Sequence, residues 1–308
     1  MTIPPIEASG LVKRYGSFCA VDGISFEVRE GECFGVLGPN GAGKTTTIRM
    51  ITCVSPVTSG ELRVCGLDVQ KHPREVKRLL GVVPQEDNLD PDLPVRQNLQ
   101  VYARYYNLPS RVADGRIDEA LRLFQLEEKA DARIDDLSGG MKRRLTIARA
   151  LVHDPKVLIL DEPTTGLDPQ ARHLVWQQLR LLRNRGVTML LTTHYMDEAA
   201  HLCDRLVIMH RAKILTEGRP RDLIQRYAGD IVLEARLLDD AERAAIETRF
   251  ANAEGVSVEH VEDILYVFGA GHEATAAAEA IGDPHRVFAR PGNLEDVFLR
   301  LTGRGLVD

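Results

Sequence analysis

"CFGVLGPNGAGKTTTIRM", residues 33–50, holds three consecutive patterns that decide the architecture. "CFGVLG" is a continuous apolar run closed by glycine, the signature of a strand buried on both faces. "GPNGAGKT" follows at 38–45, and "TTTIRMITC" at 45–53 has the spacing of a helix. A glycine-rich loop between such a strand and helix lets backbone N–H groups turn inward on a phosphate, where the peptide dipoles also favour an anion. Gly38, Gly43, Lys44 and Thr45 match G-x-x-x-x-G-K-[ST]. In that motif the lysine reaches the β and γ oxygens of a nucleotide and the hydroxyl holds Mg²⁺. Pro39, Asn40, Gly41, Ala42 and Thr46 complete the candidate cradle.

Outward from this loop, strand and helix patterns alternate. "ELRVCG", "GVVPQ", "KVLILD", "VTMLLTT", "RLVIM" and "KILTEG" read as strands, after a first third of short strands separated by turns. This predicts an α/β fold with a largely parallel, helix-flanked sheet. From about residue 95 the period becomes helical, with Ile117, Leu121 and Phe124 on one stripe, so a helical subdomain is expected over about 86–150.

The chemistry that complements the cradle lies in "KVLILDEPTTGLD", 156–168. Four buried strand residues deliver Asp161 and Glu162 to the carboxyl end of a strand, where open α/β sheets place ligands. Asp161 suits a Mg²⁺ ion held through water, which leaves Glu162 to polarise an attacking water. That pairing means hydrolysis, because a kinase would need a second substrate site. Gln85 after "GVVP" reaches the metal or the water from the edge, or is a solvated loop residue. His194, closing "MLLTT", touches a γ-phosphate or caps a helix, and Tyr15 in "VKRYGS" stacks on adenine or is an ordinary strand tyrosine. In "DLSGGMKRRL", 136–145, Ser138 is a good helix N-cap, and Gly139 and Gly140 leave the first N–H groups open. The stretch reads as a second phosphate site or as a plain capped helix start. With one P-loop lysine and one Asp-Glu pair in the chain, it is at most half of a site.

Composition bounds the rest. Across 308 residues, 44% hydrophobic and 27% charged residues exclude a disordered or fibrous chain, and a net charge of −6 offers no global field for nucleic acid. The five cysteines form no C-x-x-C pair, as expected of reduced thiols. "MTIPPIEASG" has no leader pattern, and no run approaches the ~20 apolar residues that span a bilayer. A membrane role therefore needs another chain. Near "RYAGD", 226–230, the composition shifts, dividing an expected domain over 1–228 from an accessory one over 229–308. The latter orders its elements βαββαβ, with helices expected over 240–252 and in "ATAAAEAI", the ferredoxin-like α+β arrangement. Its last helix, "NLEDVFLRLTG", is amphipathic through Leu294, Val297, Phe298 and Leu301, and either packs home or grips a partner.

Taken in this order, these residues resemble the ATP-binding subunits of ABC transporters over about 6–228. The resemblance implies a P-loop ATPase domain with a mixed sheet core and a helical subdomain. It makes Tyr15 the adenine-stacking aromatic, 38–45 the Walker A loop, Gln85 the Q-loop glutamine and 137–141 the signature motif. It makes 157–162 the Walker B strand with its catalytic glutamate, Asp168 the end of the D-loop and His194 the switch histidine. Met141 departs from the family, whose commonest residue there is glutamine; in phase with Leu145, Ala148 and Val152, it is expected to pack inward.

"LSGGMKRRL", "LTTHYMDEAAHLCDR" and the terminal "NLEDVFLRLTG" are similar to exporter ATPases of the nodulation-factor and daunorubicin-resistance kind. That likeness implies ATP and Mg²⁺ as cofactors and a homodimer in which Ser138, Gly139, Gly140 and Asp168 of each chain close the ATP held by the other. It also implies an integral-membrane permease as partner, no nucleic acid, and a peripheral place on the cytoplasmic face of the bacterial inner membrane. The exported substrate would be lipid-like, glycolipid or amphiphilic. A soluble ABC-type ATPase of regulation, translation or DNA maintenance is the rival reading, but such chains usually carry two P-loops or a long coiled-coil insertion. A GTPase switch would need an N-K-x-D element, which is lacking. For 229–308, ligand sensing and dimerisation both stay open.

Overall fold

The computed structural model describes residues 3–236, 242, 244, 247, 248, 250, 256–261, 264–269 and 286–303. The chain divides into two units, Met1–Thr216 and Glu217–Asp308.

The first unit carries strands β1 (Ile6–Tyr15), β2 (Phe18–Val28), β3 (Cys33–Leu37), β4 (Ser59–Val64), β5 (Leu67–Asp68), β6 (Leu80–Val83), β7 (Val157–Asp161), β8 (Thr188–Thr193), β9 (Arg205–His210) and most of β10 (Lys213–Gly218). They form an antiparallel sheet in the order β2-β1-β4-β5 and a six-stranded sheet in the order β10-β9-β3-β8-β7-β6. In the second sheet β9, β3, β8, β7 and β6 pair in parallel, and β3, β7 and β8 are buried at every position. Burial on both faces is why their large apolar residues run consecutively instead of alternating. β1 and β2 are longer than the short strands expected there, because register shifts between Ala8 and Leu11 and between Leu11 and Lys13 break the alternation.

Between the two sheets lies α1 (Lys44–Ile51). Its Ile48, Met50 and Ile51 join Ile6, Leu11 and Val21 of the antiparallel sheet and Phe34, Ile159 and Leu190 of the parallel one in a single core. An isolated helix of this length is marginal in water, so burial, at about 1.5–3 kcal/mol per large apolar side chain, is what holds it. The loop ahead of α1 is thereby fixed from both sides.

After α2 (Pro73–Leu79) come α3 (Val95–Tyr105), α4 (Ser110–Leu123) and α5 (Gly139–Leu151), which pack on one another. Leu99, Ile117, Leu121, Phe124 and Leu145 are buried there. His153, just past α5, stacks on Tyr106 at 3.6 Å and donates its Nε2–H to the Leu80 carbonyl at 3.0 Å. Burial draws its pKa down to about 4, against the help of that hydrogen bond. The folded chain thus keeps this ring neutral while an unfolded chain protonates it near pH 6.5, so its contribution is intact above that pH and is lost as pH falls toward 4. Between pH 7 and pH 5 this single group should remove about 2 kcal/mol of stability. Urea unfolding at the two pH values should show a smaller acid loss in His153→Gln than in the wild type. α6 (Pro169–Asn184) and α7 (Met196–Leu202) complete the unit.

The second unit contains α8 (Pro220–Tyr227), β11 (Ile231–Arg236), β12 (Ser257–Val261), β13 (Ile264–Phe268), β14 (Val287–Pro291) and a last helix, α9 (Leu294–Thr302). Its sheet runs β12-β13-β11-β14 with every described pairing antiparallel, the strand order of a split-βαβ unit. Residues 242, 244, 247, 248 and 250 are helical. The remainder of the helix expected over 240–252, and all of the one expected in "ATAAAEAI", lie outside the described residues. α9 packs on α8, and Leu299 joins Ala228, Val232 and Phe268. The unit begins ahead of the composition shift at 228 because α8 packs against α9. Leu301, placed by its spacing on the apolar stripe, is only half-buried, whereas Leu299 is buried. Asn293 and Asp296 form a capping box, and Asp296 takes the Arg290 guanidinium on both oxygens at 2.7 Å.

Among the described residues, no helix is long and apolar enough to cross a membrane.

Candidate functional site

Four neighbouring parallel strands, β3, β8, β7 and β6, end at one edge of the sheet. Leu37 is level with Thr193, Asp161 with Thr192, and Leu160 with Val83. The Gly38 loop, His194, the Asp161–Glu162 pair and Gln85 therefore leave the sheet side by side, although up to 156 residues separate them in the chain. The carboxyl ends of parallel strands are the general ligand-binding edge of such sheets.

The glycine loop is shaped by what surrounds it. Gly43 holds φ 107°, and a Cβ there would meet the Ala20 carbonyl oxygen at 2.5 Å, so only glycine fits. Gly38 donates its N–H to the Thr193 carbonyl at 3.3 Å, and Ala42, buried, donates to Pro39 at 3.3 Å. Lys44 is buried and donates to the Gly38 and Pro39 carbonyls at 2.8 and 3.1 Å, with Nζ 3.3 Å from Glu162 Oε1. Asn40, Gly41, Gly43, Lys44, Thr45 and Thr46 line a cavity of about 220 Å³ together with Gln85 and Glu162.

Glu162 has φ 47°, a left-handed conformation that costs a non-glycine residue about 1–3 kcal/mol. Its N–H donates to the Thr192 carbonyl at 3.0 Å and to Thr192 Oγ1 at 3.2 Å, which holds it there. The second carboxylate oxygen lies 3.2 Å from His194 Nδ1 and accepts from Thr165 Oγ1 at 3.1 Å. Burial alone would raise the pKa of Glu162, but Lys44 first, and then His194 and Thr165, bring it below the ordinary value. Asp161 behaves oppositely: burial raises its pKa, and the Thr192 hydroxyl at 2.5 Å opposes this without reversing it. Two adjacent carboxyl groups with opposed shifts are suited to different tasks. Lys44 is drawn below its usual range by burial, with Glu162 and Asp161 resisting.

Thr45, Gln85 and Asp161 also line a second cavity, of about 340 Å³. A hydroxyl, an amide and a carboxylate form an oxygen donor set of the kind Mg²⁺ takes alongside phosphate oxygens. Among the described residues no group of three or more His, Cys, Asp or Glu forms a metal site by itself.

Ser138, Gly140 and Asp168 meet elsewhere, in a cleft of about 180 Å³ that shares no lining residue with the loop cavity. Ser138 caps α5, accepting from Met141 N–H at 3.3 Å, and Asp168 caps α6, accepting from Ala171 N–H at 2.9 Å. The two helix starts approach so closely that a Cβ on Gly140 would meet the Ala171 Cβ at 2.7 Å. Gly139 opens α5 with open space where a Cβ would stand. Met141 does not pack into the core as its phase suggested. It is half-buried and lines the cleft, because it lies within the first turn, where the helix face is still turned to the opening.

Tyr15 is 47% exposed, has Lys13 Nζ 4.8 Å from its ring centre and is registered against Phe18, and it is Phe18 that lines the loop cavity. Sequence reasoning also missed Thr192, Thr165 and Arg143. Thr192 carried a visible signal, a polar side chain inside the apolar strand "MLLTT".

Comparison with known proteins gives a consistent picture. Residues 21–165 match the family model described as ABC transporter, and residues 242–303 match that of the nodulation factor export protein NodI, C-terminal domain. The chain is 48% identical over 308 residues to a Nod factor export ATP-binding protein I of Burkholderia pseudomallei, covering 100% of both chains. Among solved structures it is similar to cbiO1 of Clostridium perfringens, part of the ABC transporter complex cbiONQ, with TM-score 0.67 and 27% identity over 81% of this chain and 96% of that one. It is also similar to a bacterial ABC transporter cassette solved as a dimer, with TM-score 0.63 and 26% identity over 70% of this chain and 98% of that one.

Proposed function

The chain belongs to the ATP-binding proteins of the ABC transporter family and is an ATPase, and from that premise we propose that it is the motor subunit of an exporter of amphiphilic, Nod-factor-like glycolipids. The observation that supports this best is the convergence of Lys44, Glu162, Asp161, Gln85 and His194 at one sheet edge.

On this reading the Gly38–Thr45 loop cradles the phosphates of ATP, and Tyr15 and Phe18 offer aromatic faces for the base. A γ-phosphate oxygen entering against Lys44 takes over the cation that Glu162 now contacts at 3.3 Å. Glu162 thereby loses the strongest influence holding its pKa down and becomes a better acceptor for the proton of an attacking water. His194, on the other carboxylate oxygen, orients it. Thr45, Asp161 and Gln85 would hold Mg²⁺, which when bound neutralises charge on the β and γ oxygens.

The cleft of Ser138, Gly140 and Asp168 offers the N-termini of α5 and α6 but no lysine, and its one carboxylate, Asp168, is engaged in capping α6. Paired head to tail with a second copy, it would close the ATP held by that copy, so that binding joins two chains and hydrolysis parts them. The proposed export substrate rests on the relative's name, Nod factor export ATP-binding protein I, and the proposed permease partner on the chain's family. A peripheral position at the inner membrane follows from that partner.

Two inactive variants provide the test. Ser138→Arg should bind ATP with unchanged affinity and lose hydrolysis, and Lys44→Ala should lose hydrolysis through lost binding. Mixed in equal amounts, they form heterodimers with one complete composite site, so activity should return to about a quarter of the wild type if sites turn over independently. No recovery on mixing, or full activity in Ser138→Arg alone, would remove the composite site.

A further inference from the structure

Arg143, in the second turn of α5, is 4% exposed, and its guanidinium is fully used. Nε donates to the Pro163 carbonyl at 2.5 Å, Nη1 to those of Pro84 at 2.5 Å and Gln85 at 3.4 Å, and Nη2 to those of Asp161 and Glu162 at 3.2 Å each. A guanidinium has five N–H donors in a fixed fork, and here each meets a different main-chain carbonyl. Two of those carbonyls belong to the segment that carries Gln85, and three to the segment that carries Asp161 and Glu162. Among the described residues its one ion pair is a long contact with Asp87, at 3.9 Å. Farther along the same helix, Thr146 donates to the Asp87 carbonyl at 3.3 Å, and Arg149 donates to those of Asp87 and Asn88 at 3.2 and 2.6 Å. These residues, three apart, lie near one face of α5 and run along the 84–88 backbone.

We infer that Arg143 is a positioning residue that couples the start of α5 to catalysis, by setting Gln85 and Glu162 together whenever that helix is seated. It joins the helix whose N-terminus lines the Ser138 cleft to both sides of the loop cavity. The Glu162 carbonyl it holds belongs to the residue kept at φ 47°, so a shift of α5 is delivered to the backbone that aims the carboxylate. Lysine cannot substitute, because its three donors radiate from one atom and cannot span two segments. The inference rests on the reading of Glu162 as the catalytic base.

The test uses the full-length chain with Arg143→Lys and Arg143→Gln. In Arg143→Lys, kcat for ATP hydrolysis should fall about tenfold or more while KM and the calorimetric Kd for ATP stay within about threefold, the pattern of a lost transition-state contribution. Hydrogen exchange should quicken at the amides of 85–88 and 162–165 and stay slow within α5, a pattern that general destabilisation does not give. Arg143→Gln should be at least as impaired; if it fails to fold, the lysine variant decides alone. Wild-type kcat in Arg143→Lys, or faster exchange spread evenly over the chain, would overturn the inference. Retained turnover in Glu162→Gln would instead overturn the reading on which it rests.

Discussion

Glu162→Gln should bind ATP as well as the wild type, hydrolyse it more slowly by about 10²–10⁴-fold, and accumulate as an ATP-bound dimer. The side chain keeps its shape, so the cavity it shares with Lys44 and Thr45 is undisturbed. What disappears is the negative charge that Lys44 faces at 3.3 Å and the acceptor beside His194. The first loss frees the lysine for phosphate, and the second removes the base. If closure is driven by binding and reopening by hydrolysis, a chain that only binds is left closed. Light scattering with ATP and Mg²⁺ checks the association, and phosphate release checks the turnover. A monomer under these conditions would count against the composite site, and undiminished phosphate release against Glu162 as base.

Lys44→Ala has the next largest effect, on affinity. The ammonium is held by the Gly38 and Pro39 carbonyls, so its position is set before any ligand arrives. A hydrogen bond to a charged group contributes about 1.5–3 kcal/mol, which is about ten- to a hundredfold in Kd. Calorimetry with ATP should register a loss in that range. The same substitution leaves Glu162 buried with less compensating charge, so the carboxyl pKa should rise. Unchanged affinity would mean that the loop does not bind the phosphates as its sequence suggests.

Most of the site was legible because its chemistry sits where sequence pattern is strongest. β3, β7 and β8 are buried throughout and carry runs of large apolar residues, so the loop, the Asp161–Glu162 pair and His194 each appear at the end of a recognisable strand pattern. The order of strands in the sheet was not legible, because pairing β3 with β8 and β8 with β7 joins segments far apart in the chain. The lengths of β1 and β2 were hidden by bulges that break the period of two. Met141 misled because helix phase identifies a buried face only where the helix is covered, and α5 is open at its first turn. Arg143 was the hardest to see. Within "MKRRL" it is one cation in a basic run, which ordinarily marks a solvated face, and its partners are carbonyl oxygens that every residue possesses.

That grip on the main chain has a consequence for divergence. Arg143, Thr146 and Arg149 hold the 84–88 segment chiefly through peptide oxygens, with the Asp87 carboxylate at 3.9 Å from Arg143 as an added side-chain link. A peptide oxygen is the same whatever residue carries it. Side chains along that segment can therefore change without loosening its attachment to α5, and the segment can be retuned to new neighbours while the linkage to Glu162 is inherited intact.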